Sequence, residues 1–158
     1  MTVPKEIVSL AHKLADTSGP IARSYFRQPL EVIAKSDESP VTIADRTAEL
    51  EMRKIIEAEM PAHGIYGEEH GQVRLDGEYV WVLDPIDGTA AFITGMPVFG
   101  TLIAVAKEEK SIFGVIDQPI TRERWVGGIG MPTQLNGTTV KTSGKTDLSQ
   151  ASLYITTS

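Results

Sequence analysis

Two apolar runs, FGTLIAVA (99–106) and SIFGVID (111–117), are separated only by the charged link Lys107-Glu108-Glu109-Lys110. A link this short closes an antiparallel hairpin and has no room for a crossover helix. QLNGTTV (134–140) carries a second hairpin signal, Asn136-Gly137. Further strands are expected at GIYG (64–67), EYVWVLD (78–84) and ERWVGG (123–128), and the terminal ASLYITTS (151–158) reads as one more, with an exposed edge.

Upstream, the period changes. Val3, Ile7, Leu10, Leu14, Ile21 and Tyr25 recur at helical spacing, predicting an amphipathic helix over 4–27 with a kink or break at Gly19-Pro20. LEVIAK (30–35) reads as a short strand, followed by a polar loop, SDESP (36–40), which Pro40 helps to end. A second helix starts with Thr42 as N-cap and Asp45 three residues on. Ala48, Met52, Ile55, Ile56 and Met60 form its buried stripe, and Pro61 stops it. The chain therefore reads as one α+β domain over 1–158, with two N-terminal helices packed on a mostly antiparallel sheet. No internal repeat, low-complexity segment or linker interrupts it.

The composition narrows the chemistry. A formal charge of −6 without clustered Lys and Arg argues against a nucleic-acid partner. The absence of cysteine excludes disulfides, thiolate nucleophiles and Cys-type zinc sites. Charges interrupt every apolar run near the N-terminus, and no later run is long enough to span a bilayer, so the reading is a cytoplasmic protein with no membrane partner.

Three acidic features remain. Asp45 can offset a helix dipole, which is the ordinary role of an acid in a first turn. It also lies three, seven and eleven residues before Ala48, Met52 and Ile56, on the buried stripe, where a charge needs a partner. Glu68-Glu69 would ordinarily be solvated surface. Neighbours on an extended chain face opposite ways, so at most one of them points into a site.

The third feature is WVLDPIDGTAAF (81–92), in which an apolar strand runs into Asp84 and Asp87. Asp-Pro-Ile-Asp-Gly fits a type I turn. GTAAF can open a short helix whose first N–H groups, with the Thr89 hydroxyl, offer an anion site. Carboxylates beside such a site would repel phosphate unless cations lay between them, and oxygen-only ligands favour Mg2+. The aspartyl-phosphate motif D-x-D-G-T has its acids at i and i+2. Here they stand at i and i+3, with Pro85 at the position of the nucleophile, which leaves metal-activated water.

These residues resemble the inositol monophosphatase family of Mg2+-dependent, lithium-sensitive phosphatases. The resemblance rests on KSDESPVTIAD (35–45), GEEHG (67–71) and WVLDPIDGT (81–89), in the family's order and comparable spacing. It implies the N-terminal half of a layered α/β sandwich. It also implies a site in which Glu68, Asp84 and the Ile86 carbonyl hold one metal, and Asp84 and Asp87 share a second. Gly88 and Thr89 would bind phosphate through backbone N–H groups. Asp45 and the Thr89 hydroxyl would take a proton from the attacking water. Lys35 would lie near phosphate and a weaker third ion. Two to three Mg2+ ions are implied, with Mn2+ as a substitute and Li+ as an inhibitor, and a homodimer acting on a small phosphorylated substrate. His12, His63 and His70 match no catalytic position and read as surface or packing residues.

FGTLIA, GVIDQP and RERWVG look most like the branch that hydrolyses histidinol phosphate in histidine biosynthesis. That branch commonly has lysine and a small polar residue after D-G-T, where this chain has Ala90 and Ala91. Inositol monophosphate and nucleotide 3′-phosphates are the rival substrates within the family. The family continues into a C-terminal α/β half with a W-D-x-A-A-G motif, whose aspartate completes the second metal site. Both tryptophans here precede valine, so the chain resembles the N-terminal portion, and by itself it could be a non-catalytic fragment.

Overall fold

The computed structural model describes residues 2–28, 32–34 and 40–153. Helix α1 (Lys5–Tyr25) leads, followed by a small antiparallel hairpin of β1 (Val32–Ala34) and β2 (Pro40–Thr42), then helix α2 (Ile43–Glu59). The large sheet is built from β3 (Gly64–Gly67), β4 (Gln72–Val73), β5 (Tyr79–Asp87), β6 (Gly100–Lys107), β7 (Lys110–Gln118), β8 (Glu123–Gly128), β9 (Met131–Leu135) and β10 (Thr138–Thr139). A one-turn helix, α3 (Thr89–Ile93), separates β5 from β6. The strand order is β10-β9-β8-β7-β6-β5-β3-β4, and every pairing is antiparallel except β3 with β5.

Both helices lie on one face of the sheet. Ile7, Leu10 and Leu14 of α1 and Met52 and Ile56 of α2 close over Ile65, Trp81, Leu83, Ile103, Val105, Phe113 and Val115. The alternation of Trp81, Leu83, Ile103 and Val105 places them all on the helix side, as a period of two requires. On the opposite face Val82, Leu102, Ala104, Ile116 and Trp125 line an apolar groove of about 600 Å3 that ends at Asp84.

Several expectations are corrected. Helix α1 runs through Gly19-Pro20 without a break: Pro20 is exposed, while Gly19 packs close to Asp117 and Pro119. The second half of its buried stripe is made of Ser18, Gly19 and Ala22, with Ile21 and Tyr25 only half-buried. Small residues allow this close approach, and the Ser18 hydroxyl lies 3.0 Å from that of Thr101. The expected strand at 30–35 is described only at Val32–Ala34, and Pro40 opens its partner strand instead of merely ending a loop. Strand β4 carries no sequence signal, since two residues are too few for any period. At the hairpin turns, Glu108, Glu109, Asn136 and Gly137 all have positive φ, which matches the twist of two-residue turns. Ala151–Leu153 has no regular structure, and the rest of the expected terminal strand lies outside the described residues.

Candidate active site

The site begins where two parallel strands end. Gly67 of β3 stands opposite Leu83 of β5, so one residue further on Glu68 comes level with Asp84. Carboxyl ends of parallel strands are where α/β sheets collect ligands. That rule has a local basis here, because β3 and β5 form the parallel pair of an otherwise antiparallel sheet.

The turn expected at Asp84–Asp87 is instead a β-bulge. Strand β5 continues to Asp87, with Asp84 opposite Leu102 and Asp87 opposite Gly100, so two residues, Pro85 and Ile86, face the single residue Thr101. Proline has no N–H for the ladder and is tolerated at a bulge. Its carbonyl is satisfied by the Thr101 hydroxyl at 2.8 Å. The extra residue has a consequence for the acids. In a regular strand, residues three apart face opposite sides. The bulge restores the same side: Ile86 turns inward, 1% exposed, and Asp87 emerges near Asp84.

Gly88 then turns the chain with φ 87° and ψ 40°. A side chain there would be strained, and its Cβ would fall 3.2 Å from the Val98 carbonyl. The first helical bond of α3 runs from Phe92 N–H to the Gly88 carbonyl, so the N–H groups of Thr89, Ala90 and Ala91 have no partner within the helix. A second core cluster underlies this corner, with Phe92 and Phe99 edge to face at 4.8 Å and Phe26 beside both.

The electrostatics at the strand ends are unfavourable in the absence of a cation. Burial, followed by the neighbouring charges of Glu68 and Asp87, pushes the Asp84 carboxyl up to about 7. Asp84 Oδ1 is buried with no hydrogen-bond partner. A buried polar atom without a donor, surrounded by like charges, is the environment a hard cation would relieve. Glu68, Asp84, Asp87 and the Ile86 carbonyl offer only oxygen, which fits Mg2+. Among the described residues, no three His, Cys, Asp or Glu side chains form a ready-made metal cage. Mg2+ usually retains waters and substrate oxygens, so it does not require such a cage.

The remaining expected residues can be placed individually. Asp45 is buried in the first turn of α2, 2% exposed, and is partnered. The Thr89 hydroxyl donates to the Ile86 carbonyl at 3.1 Å. In this arrangement the expected proton-relay hydroxyl is engaged with the expected carbonyl ligand. Lys35 lies outside the described residues. All three histidines have other work: His63 accepts the Trp81 indole N–H at 3.1 Å, His70 Nε2 lies 2.9 Å from the Arg46 carbonyl, and His12 lies against Arg124.

The sequence reading overlooks Glu49. It is fully buried in α2, where it accepts the N–H groups of Glu69 and His70 at 2.6 and 3.0 Å. Its i,i+4 partner Arg53 makes it resemble an ordinary surface pair. The available signal was its place on the Asp45–Met52–Ile56 face.

A helical layer on a mostly antiparallel sheet gathers carboxylates at a parallel strand pair beside a glycine-led helix start, an arrangement whose oxygen donors could hold a metal ion and whose N–H groups could receive an anion. The chain belongs to the inositol monophosphatase family, whose model matches residues 4–158. It is 53% identical over 150 residues to the bifunctional phosphatase IMPL2, chloroplastic, of Arabidopsis thaliana, covering 94% of this chain and 43% of that protein. It is 37% identical to a histidinol-phosphatase of Chlorobaculum parvum, covering 94% of this chain and 58% of the other. Among solved structures, an inositol monophosphatase from Zymomonas mobilis superposes with a TM-score of 0.75 at 48% identity, over 89% of this chain and 54% of that one. The chain thus spans about half the length of the relatives it matches.

Proposed function

We propose that the protein containing this chain is a Mg2+-dependent phosphomonoester hydrolase that acts on histidinol phosphate. The observation that carries the reading is the convergence of Glu68, Asp84 and Asp87. The parallel β3–β5 ends bring the first two level, and the β5 bulge turns the third toward them. Bound Mg2+ would supply Lewis-acid charge and lower the pKa of a coordinated water.

The chain's own residues supply the rest. Glu68, Asp84, Asp87 and the Ile86 carbonyl hold the ions. The N–H groups at Gly88 and Thr89 receive phosphate oxygens, since the αL turn at Gly88 leaves the start of α3 open. Asp45, held at the buried start of α2, takes the proton from the attacking water together with the Thr89 hydroxyl. For that, the hydroxyl must turn from the Ile86 carbonyl, to which it now donates. Lys35 contributes positive charge near the phosphate. The protein works as a homodimer in the cytoplasm.

The substrate assignment draws on the histidinol-phosphatases among the relatives, including those of Chlorobaculum parvum and Mycobacterium tuberculosis, each 37% identical. The test is hydrolysis by the intact protein, with Mg2+, of histidinol phosphate, inositol 1-phosphate and a nucleotide 3′-phosphate. A kcat/KM at least tenfold higher for histidinol phosphate is expected. Preference for either rival would refute the substrate assignment, and hydrolysis undiminished by chelation would refute the metal.

A further inference from the structure

Glu49 is a carboxylate with no contact to solvent, placed in the middle of a helix and two turns from any helix end that would favour it. Burying a charge there is costly unless it is paired and hydrogen-bonded. Its two oxygens accept three bonds, two of them from the backbone of one segment. Oε2 accepts Glu69 N–H at 2.6 Å; Oε1 accepts His70 N–H at 3.0 Å and the Arg53 guanidinium at 3.1 Å. The same Arg53 Nη1 donates to the Gly71 carbonyl at 3.0 Å, and Gly71 in turn accepts the Gly67 N–H at 3.0 Å. The Glu49–Arg53 pair thus holds the segment at Glu69, His70 and Gly71, and the Gly71 carbonyl closes back onto Gly67. Gly67 completes the fit, since a Cβ there would lie 2.0 Å from Glu49 Oε1.

The gripped segment carries Glu68, which is itself exposed and whose side-chain position the sheet alone does not fix, because β3 ends at Gly67. We propose that Glu49 is a positioning residue for the acidic site: by binding the backbone of Glu69 and His70, it holds the 67–71 segment so that Glu68 stands beside Asp84. The inference rests on the reading of Glu68 and Asp84 as metal ligands. Charge and shape both enter. A carboxylate can accept all three bonds. An isosteric amide can satisfy only one side, and its NH2 group must face either the Glu69 N–H or the His70 and Arg53 donors.

The test measures Mn2+ binding to the intact protein by calorimetry, in parallel with thermal unfolding. Glu49→Gln should weaken Mn2+ by tenfold or more, the scale expected when a group supporting a metal ligand is lost. Gly67→Ala leaves Glu49 and Arg53 unsubstituted but drives a methyl group into the contact between the segment and that pair, and should weaken Mn2+ likewise if Glu49→Gln does not fold. Met52→Ala, which removes packing from the same face of α2, should lower the melting temperature and leave Mn2+ affinity unchanged. Affinity equal to the parent in both Glu49→Gln and Gly67→Ala would overturn the positioning role. Parallel losses of affinity and melting temperature across all three variants would overturn it too. Absence of saturable Mn2+ binding by the parent itself would remove the metal reading, and this inference with it.

Discussion

Replacing Asp84 by asparagine should stabilise the metal-free protein while abolishing turnover. The carboxyl is held at about 7 instead of 3.8, first by burial and then by the charges of Glu68 and Asp87. At about 1.4 kcal/mol per tenfold change in proton affinity, that difference corresponds to roughly 4 kcal/mol of unfavourable ionisation. The side chain is only half-buried, and solvent screening reduces the figure to about 1–2 kcal/mol. The sign follows from proton uptake. Between 3.8 and about 7 the folded state binds the proton and the unfolded state does not, so stability falls as pH rises through that window. In urea denaturation with chelator at pH 8, Asp84→Asn should therefore be about 1–2 kcal/mol more stable than the parent. The gap should narrow as pH is lowered toward 5, and saturating Mg2+ should raise the melting temperature of the parent far more than that of the variant. A variant less stable than the parent at pH 8, or a gap that does not change with pH, would refute the electrostatic reasoning.

Gly88→Ala places a side chain at φ 87° with its Cβ 3.2 Å from the Val98 carbonyl; a stability loss of about 1–2 kcal/mol is expected in urea denaturation. It should also weaken inhibition by inorganic phosphate, as the start of α3 shifts. His63 and His12 are both lowered by burial, His12 also by Arg124. The unfolded chain then takes up their protons first, and stability is lost as pH falls below the ordinary histidine value of 6.5. In the Asp84→Asn background, where the opposing carboxyl is absent, the melting temperature should fall between pH 7.5 and pH 5.5. His63→Gln, which can still accept the Trp81 N–H, should flatten that fall.

The sequence exposes periodicity more readily than it exposes partners. Strands β3 and β8 begin and end where the sequence reading expects them, and the link at Glu108-Glu109 closes the hairpin its length requires. Asp-Pro-Ile-Asp reads as a turn in the sequence, because its local chemistry is that of a turn, whereas in the fold it is a bulge. Whether the chain leaves the sheet depends on Gly100 and Thr101, sixteen residues away from Pro85 in the case of the Thr101 bond. The parallel register of β3 and β5, which aligns Glu68 with Asp84, is likewise a long-range fact. Glu49 was overlooked for a related reason. A Glu and an Arg four apart look the same on a wet helix face as in a buried clamp, and only the backbone of Glu69 and His70 distinguishes the two.

Glu68, Asp84 and Asp87 are proposed to meet around metal ions beside the Gly88 turn. Anomalous diffraction from crystals of the intact protein soaked in Mn2+ and phosphate tests it most directly. Mn2+ peaks are expected at the Glu68, Asp84 and Asp87 carboxylates, with phosphate at the first N–H groups of α3. Saturating Mn2+ with no peak at these carboxylates, or with peaks only elsewhere on the surface, would contradict it.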